Sequence, residues 1–217
     1  MKPTIALFMH APECSQECCD GVIEALSNDY NIRLFSENDI LDTDFFRDIS
    51  LLVFPGGIGD SDSLYRFFSR RTGNKIAKYI EDGGRYLGIC MGAYWADQWY
   101  FDLIDDVRAV QYIKQPNADI RRSYGTVAPV VWNGTPIKMY FYDGCALIGD
   151  ESKFKVIARY ANGDPMAIIK GHVGLIGCHP ESSQFWYEKP WQYINEHWHN
   201  GEHHKLLLEF VNELMEK

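Results

Sequence analysis

Four short, almost uninterrupted apolar runs each stop abruptly in a turn containing glycine, proline or histidine, and segments of helical periodicity fill the gaps between them. The runs are Thr4–Met9, Leu51–Phe54, Tyr86–Ile89 and Val173–Cys178. A strand with one wet face alternates apolar and polar residues, whereas a strand covered on both faces does not. Continuous runs separated by helices therefore predict a parallel sheet with crossover helices on either side. The helical segments are about Ser15 to Asn28, Lys75–Glu81 ending at Gly83-Gly84, and Ala93 onward, with Ile32–Phe35 as a further short strand.

From about Ala109 to Lys170 the pattern changes. Tyr124–Trp132, Ile137–Phe141, Phe154–Tyr160 and Met166–Lys170 read as short strands, with Asn133-Gly134, Asp143-Gly144 and Asn162-Gly163 as hairpin-type turns. A final helix spans Glu202 to Met215. The expectation is one α/β domain over residues 1–217, a flavodoxin-like three-layer sandwich with a mostly parallel central sheet and an inserted or edge β-meander.

Composition narrows the function classes. Formal net charge is −9 and the Arg70-Arg71 and Arg121-Arg122 pairs are isolated, so no nucleic-acid partner is expected. No stretch reaches membrane-spanning length, and the apolar run Ile5 to Met9 is too short for a signal peptide. The expected location is cytoplasmic, with Cys14, Cys18, Cys19, Cys90, Cys145 and Cys178 as thiols.

Three of the strand ends carry chemistry. Gly88-Ile89-Cys90-Met91-Gly92 is the G-x-C-x-G form of a nucleophile elbow, between an apolar strand and a helical pattern. Such a turn needs glycine two residues to either side of the nucleophile, and N–H groups at the helix start stabilise a thiolate. The bland alternative is a small buried cysteine on a glycine-rich turn. His179-Pro180-Glu181 ends the run Val173–Cys178, and residues two apart in extended chain share a side, so Glu181 can orient the His179 imidazole. Alone, His179 could equally be a surface loop histidine. Pro55-Gly56-Gly57 can aim an N–H at an oxyanion, with Met91 N–H as the second donor, although a plain tight turn reads the same way.

In the order Pro-Gly-Gly, Gly-x-Cys-x-Gly, His-Pro-Glu, the chain resembles the class I glutamine amidotransferase-like superfamily. Leu51–Gly57, Gly83–Tyr94 and Gly177–Glu181 further resemble the N-terminal domain of biotin-protein ligases, and Tyr140-Phe141-Tyr142-Asp143-Gly144 looks like that domain's Tyr-Asn-Gly-Gly loop. The resemblance implies Cys90 as nucleophile, His179 as base, Glu181 as orienting carboxylate, and Gly57 with Met91 as oxyanion donors. Two departures matter. Glutaminase domains carry a glutamine four residues after the cysteine, where this chain has Tyr94, so glutamine is not assigned as substrate. The Gly-Arg-Gly-Arg type loop of the biotin-activating module does not occur, so this chain is not expected to join biotin to anything by itself.

Gly56, Tyr94, Tyr142, Asp143 and His10 are the candidate pocket residues. Cys14, Cys18 and Cys19 read as a helix face, and His197, His199, His203 and His204 as a polar loop and helix start. Cys14, Cys18 and Cys19 also suggest metal ligands at helical spacing, but no second Cys/His pair stands at a usable distance, and the histidines are spaced irregularly across Asn200-Gly201, so no metal and no cofactor is expected. Phe185, Trp186, Tyr187, Trp191, Tyr193 and Trp198 read mostly as core, Cys178 as packing, and Cys145 either way.

The leading expectation is a Cys-His-Glu amidase acting on a small amide. A binding or regulatory domain for a small ligand or partner segment is the alternative. A hydratase or deglycase is less well supported, because Glu81 and Asp82 lie too far before the elbow. A separate partner protein or a homo-oligomer is compatible with either leading reading.

Overall fold

The structure, a computed structural model, describes residues 2–10, 15–57, 62 and 64–216. The apolar runs become β1 (Thr4–Phe8), β3 (Leu51–Phe54), β4 (Tyr86–Ile89) and a final strand, β11 (Val173–Ile176), almost all of it buried. With β2 (Asn31–Phe35) they form a five-stranded parallel block in the order β2-β1-β3-β4-β11. This is the flavodoxin-like arrangement, in which the chain leaves β1 toward one edge and β3 toward the other. Right-handed crossovers then put the intervening helices on opposite faces.

Helix α1 (Gln16–Leu26) follows β1, and it packs beside the C-terminal helix, whose Asn212 Oδ1 accepts from Tyr30 Oη at 2.6 Å. The short helix α2 (Leu64–Phe67) and the longer α3 (Arg70–Glu81) lie between β3 and β4. Ser69 caps α3, accepting from Thr72 N–H, and Gly83 ends it at φ 97°, as its glycine pair predicts.

Beyond β11 the same sheet continues antiparallel through β6 (Thr126–Trp132), β7 (Thr135–Phe141), β9 (Lys155–Tyr160) and β10 (Pro165–Lys170), in the order β11-β10-β9-β6-β7. The meander is thus an edge extension of the central sheet. Asn133 (φ 45°) and Gly134 (φ 82°) make the expected tight hairpin between β6 and β7. Asp143-Gly144 does not: the next strand, β8 (Cys145–Gly149), leaves the main sheet and pairs with β5 (Val107–Gln111) in a small two-stranded sheet.

Helix α4 (Met91–Trp95) is only five residues long. The buried Asp97 carboxylate ends its run by accepting from Trp99 N–H, Ala109 N–H and Arg108 Nε. Helix α5 (Gln184–Tyr187) and α6 (Glu202–Met215) complete the chain, with Phe210 and Leu214 of α6 against Gly174 of β11. Among the described residues no helix is long and apolar enough to cross a membrane.

Candidate active site

Cys90 stands between β4 and α4 with φ 49° and ψ −103°, a backbone state that L residues rarely adopt. The turn is held on both sides. Cys90 N–H donates to Ile176 O at 2.8 Å and Cys90 O accepts from Ala93 N–H at 3.0 Å. The flanking glycines are required by contact: a Cβ at Gly88 would overlap Gly92 O, and one at Gly92 would overlap Phe54 O. The strain and both glycines are what a nucleophile elbow demands.

The neighbouring strand delivers the histidine. His179 N–H donates to Tyr140 O at 2.9 Å, and the Pro180 turn brings Glu181 Oε1 to 2.8 Å from His179 Nδ1. Both side chains are buried, Glu181 completely. A carboxylate only accepts, so Nδ1 carries a proton and Nε2 is the atom left for exchange. Nε2 makes no aligned hydrogen bond among the described residues. Burial by itself lowers the imidazole pKa, but the Glu181 carboxylate and the Cys90 thiol outweigh it and hold the ring well above its ordinary range. Cys90 is 6% exposed, and its Sγ lies 3.4 Å from Tyr142 O.

One residue at the site was read from the sequence only as part of a helix face. Cys18, on the buried face of α1, comes to the same imidazole. The cause is close packing: a Cβ at Gly21, one turn further along α1, would overlap Glu181 O. Only glycine lets the helix lie against the His-Pro-Glu turn, and residues three apart share a helix face. Burial pushes the Cys18 thiol up to about 11, with His179 pulling the other way. The Cys18–Gly21 pair, Cys-x-x-Gly, was the available signal. Cys18 Sγ, His179 and Glu181 offer ligand atoms within 4.8 Å of one another.

The other candidates divide. Met91 N–H, at the first position of α4, donates to no carbonyl among the described residues, and Gly92 N–H reaches Pro55 O at 3.3 Å, tying the elbow to the Pro55-Gly56-Gly57 turn. Gly56 faces His179 and Cys18, since a Cβ there would stand 2.7 Å from His179 Cε1 and 2.8 Å from Cys18 Sγ. Tyr94 Oη donates to Asp143 O at 3.1 Å, and the Asp143 carboxylate, at φ 47°, accepts from Gln111 Nε2 at 3.0 Å. Tyr94 also lines a cavity of about 340 Å³ with Asp97, Trp99, Arg108, Gln111 and Lys114. His10 follows β1, and its Nε2 stands 3.9 Å from Glu37 Oε1. A larger cavity of about 790 Å³ lies at the opposite ends of the strands, against Pro3, Ser50 and Arg85.

Cys14 lies outside the described residues. Cys19 and Cys178 pack in the core, the latter with its thiol raised to about 12 by burial, and Cys145 proves fully buried as well. The C-terminal histidines depart from a polar loop. His199 and His203 are buried and stacked at 4.1 Å, and His199 and His204 both direct Nε2 at Ser182 O, beside Glu181. Of the late aromatics, Trp186 and Tyr187 are buried around Tyr140, while Trp191 and Tyr193 are exposed.

Residues 9–110 match the family described as "Biotin-protein ligase, N terminal". A biotin–protein ligase of Schizosaccharomyces pombe is 29% identical over 177 residues, 62% of this chain and 26% of that protein. An uncharacterized protein of Chlamydia muridarum is 31% identical over 159 residues, 60% of each chain. This chain therefore spans from about a quarter to three fifths of the curated relatives it matches. Among solved structures, a glutamine amidotransferase from Thermotoga maritima superposes with a TM-score of 0.69 at 10% identity, covering 100% of both chains. The chain thus has a fold shared with solved glutamine amidotransferases, and its residues 9–110 match the family described as "Biotin-protein ligase, N terminal".

Proposed function

We propose that this chain is a cysteine-dependent amidase acting on a small amide. The observation that carries the reading is the strained Cys90 elbow beside an imidazole whose far nitrogen is fixed by a buried carboxylate at 2.8 Å. His179 Nε2 takes the Cys90 proton and the sulfur attacks the amide carbonyl. The N–H groups of Gly57 and Met91 receive the oxyanion as the carbonyl π bond opens. When the intermediate collapses, the C–N bond breaks and His179 Nε2–H protonates the departing amine. A thioester remains on Cys90. Water then gives a proton to Nε2 and its oxygen to the acyl carbon, releasing a carboxylic acid and restoring the thiol. Glu181 keeps Nδ1–H in place throughout.

Tyr94 shapes the substrate side. Its hydroxyl is engaged by Asp143 O, so it walls the space beyond Cys90 instead of offering an amide to hold glutamine. The same closure favours a second reading, a domain that holds a small ligand or a partner segment without turnover. A panel of small primary amides, glutamine among them, separates the two when released ammonia and acyl adducts on Cys90 are measured by intact mass. The amidase reading predicts ammonia release that Cys90→Ser abolishes. Turnover retained in Cys90→Ser would contradict it, and binding without ammonia release would leave the second reading in place.

A further inference from the structure

Cys18 has no part in that chemistry, yet the fold spends a helix–turn contact on bringing it to His179. Cys18, His179 and Glu181 are 5%, 3% and 0% exposed, and their ligand atoms lie within 4.8 Å of one another. Glu181 is bonded through Oε1 alone; its buried Oε2 has no partner among the described residues. A carboxylate removed from water with an unused oxygen is an incompletely satisfied group. Glu181 is fully buried, and the Gly56 turn packs against Cys18 and His179 beside it.

We propose that Cys18 Sγ, His179 Nδ1 and a Glu181 oxygen bind one borderline-soft dication, of the zinc or cobalt type, and that the bound ion switches Cys90 off. One sulfur, one imidazole nitrogen and one carboxylate oxygen are a donor set such ions accept, and sulfur disfavours calcium and magnesium. A thiolate and a carboxylate together neutralise a 2+ ion, which suits a dry site. Ligand atoms around a tetrahedral zinc at about 2.0–2.3 Å stand roughly 3.5 Å apart, so binding opens the 2.8 Å His179–Glu181 contact and draws Cys18 Sγ in from a cluster already within 4.8 Å. The Cys18 thiol proton leaves to solvent as the metal–sulfur bond forms.

The consequence for Cys90 follows from the ring. A metal on Nδ1 displaces the hydrogen bond to Glu181 and uses the Nδ1 lone pair. The one proton of a neutral imidazole then sits on Nε2, the atom that otherwise takes the Cys90 proton. The switch rests on the amidase reading for what it turns off, whereas the metal site does not.

Cobalt(II) titrated into the full chain tests the site directly, read as thiolate-to-cobalt charge-transfer absorbance. The expected result is a saturable 1:1 band in wild type and in Cys90→Ser. It is lost in Cys18→Ser and in a second variant, Cys18→Ala, and weakened at least about 10- to 100-fold in Glu181→Gln. Zinc should slow iodoacetamide alkylation of Cys90 in wild type, reversibly on chelation, and leave it unchanged in Cys18→Ser. Absence of the band in wild type, or a band that follows Cys90 and survives in both Cys18 variants, would overturn the proposal. Equal slowing by zinc in Cys18→Ser would overturn it too. A cobalt band in a protein that hydrolyses no amide would remove the amidase reading and leave the metal site standing.

Discussion

The Cys90 site depends on opposing effects upon one imidazole. Removing His179 from water disfavours its charged form, and the 2.8 Å contact to Glu181 together with the Cys90 thiol more than reverses that. A proton held more tightly in the folded state than in the unfolded one stabilises the fold below the unfolded histidine pKa of about 6.5, and that stabilisation is lost as pH rises through the higher folded value. The stability deficit of His179→Gln against wild type should therefore be largest on the acid side of about pH 6.5 and shrink as pH rises, as denaturant titrations at several pH values will show. Glu181→Gln leaves burial as the dominant influence on the ring, so Cys90 alkylation at neutral pH should slow by about an order of magnitude. Tyr94→Gln removes the hydroxyl that engages Asp143 O, and the amidase reading predicts that glutamine hydrolysis rises relative to wild type.

At the scale of elements, α1 packs against the His-Pro-Glu turn and the C-terminal histidines hold Ser182 O just after it. Gly21 sits where any side chain would overlap Glu181 O, so Gly21→Ala must push α1 off the turn. Overpacking of that kind costs about 1–3 kcal/mol, and here it should also slow Cys90 alkylation. His199 and His203 are held neutral by burial, with pKa values lowered to about 3 and about 4. The unfolded chain takes up protons at these sites first, so they cost stability as pH falls from about 6.5 toward 4. His203 Nδ1 is buried without a partner among the described residues, so His203→Leu should be tolerated at neutral pH and should lose less melting temperature on acidification than wild type. The sequence patterns read these elements unevenly. Asn133-Gly134 announced its hairpin because type I′ turns need positive φ at both residues, which Asn and Gly tolerate. Asp143-Gly144 carries the same signature, but there Asp143 at φ 47° turns the chain out of the main sheet, and local residues do not encode which strand comes next. β5 went unread because Arg108 and Gln111 interrupt its apolar pattern, and the buried Asp97 that bonds Arg108 lies ten or more residues away.

For the whole molecule, the parallel half supplies Cys90, His179 and the Pro55-Gly56-Gly57 turn, the end of β7 and the loop after it add Tyr140 O and Tyr142 O, and the β6–β7 hairpin lies at the sheet's edge. Cys90, His179 and the Pro55-Gly56-Gly57 turn were legible in advance because each follows an apolar strand, and parallel strands in register bring their C-terminal ends together. Cys18 was not, because its approach depends on the tertiary fit of a glycine against a carbonyl that lies 160 positions away in sequence. The division of labour predicts separable effects. Gly134→Ala, at φ 82° on the edge hairpin, should cost about 1 kcal/mol of stability and leave Cys90 reactivity unchanged. The most direct test of the central claim is the rate of Cys90 alkylation by iodoacetamide, followed by peptide mass spectrometry in wild type and His179→Ala, with the fully buried Cys145 and Cys178 as internal controls. The account predicts that at neutral pH Cys90 reacts far faster than the controls, and that His179→Ala removes most of that advantage. A Cys90 as inert as Cys145, or one that reacts equally fast without His179, would contradict it.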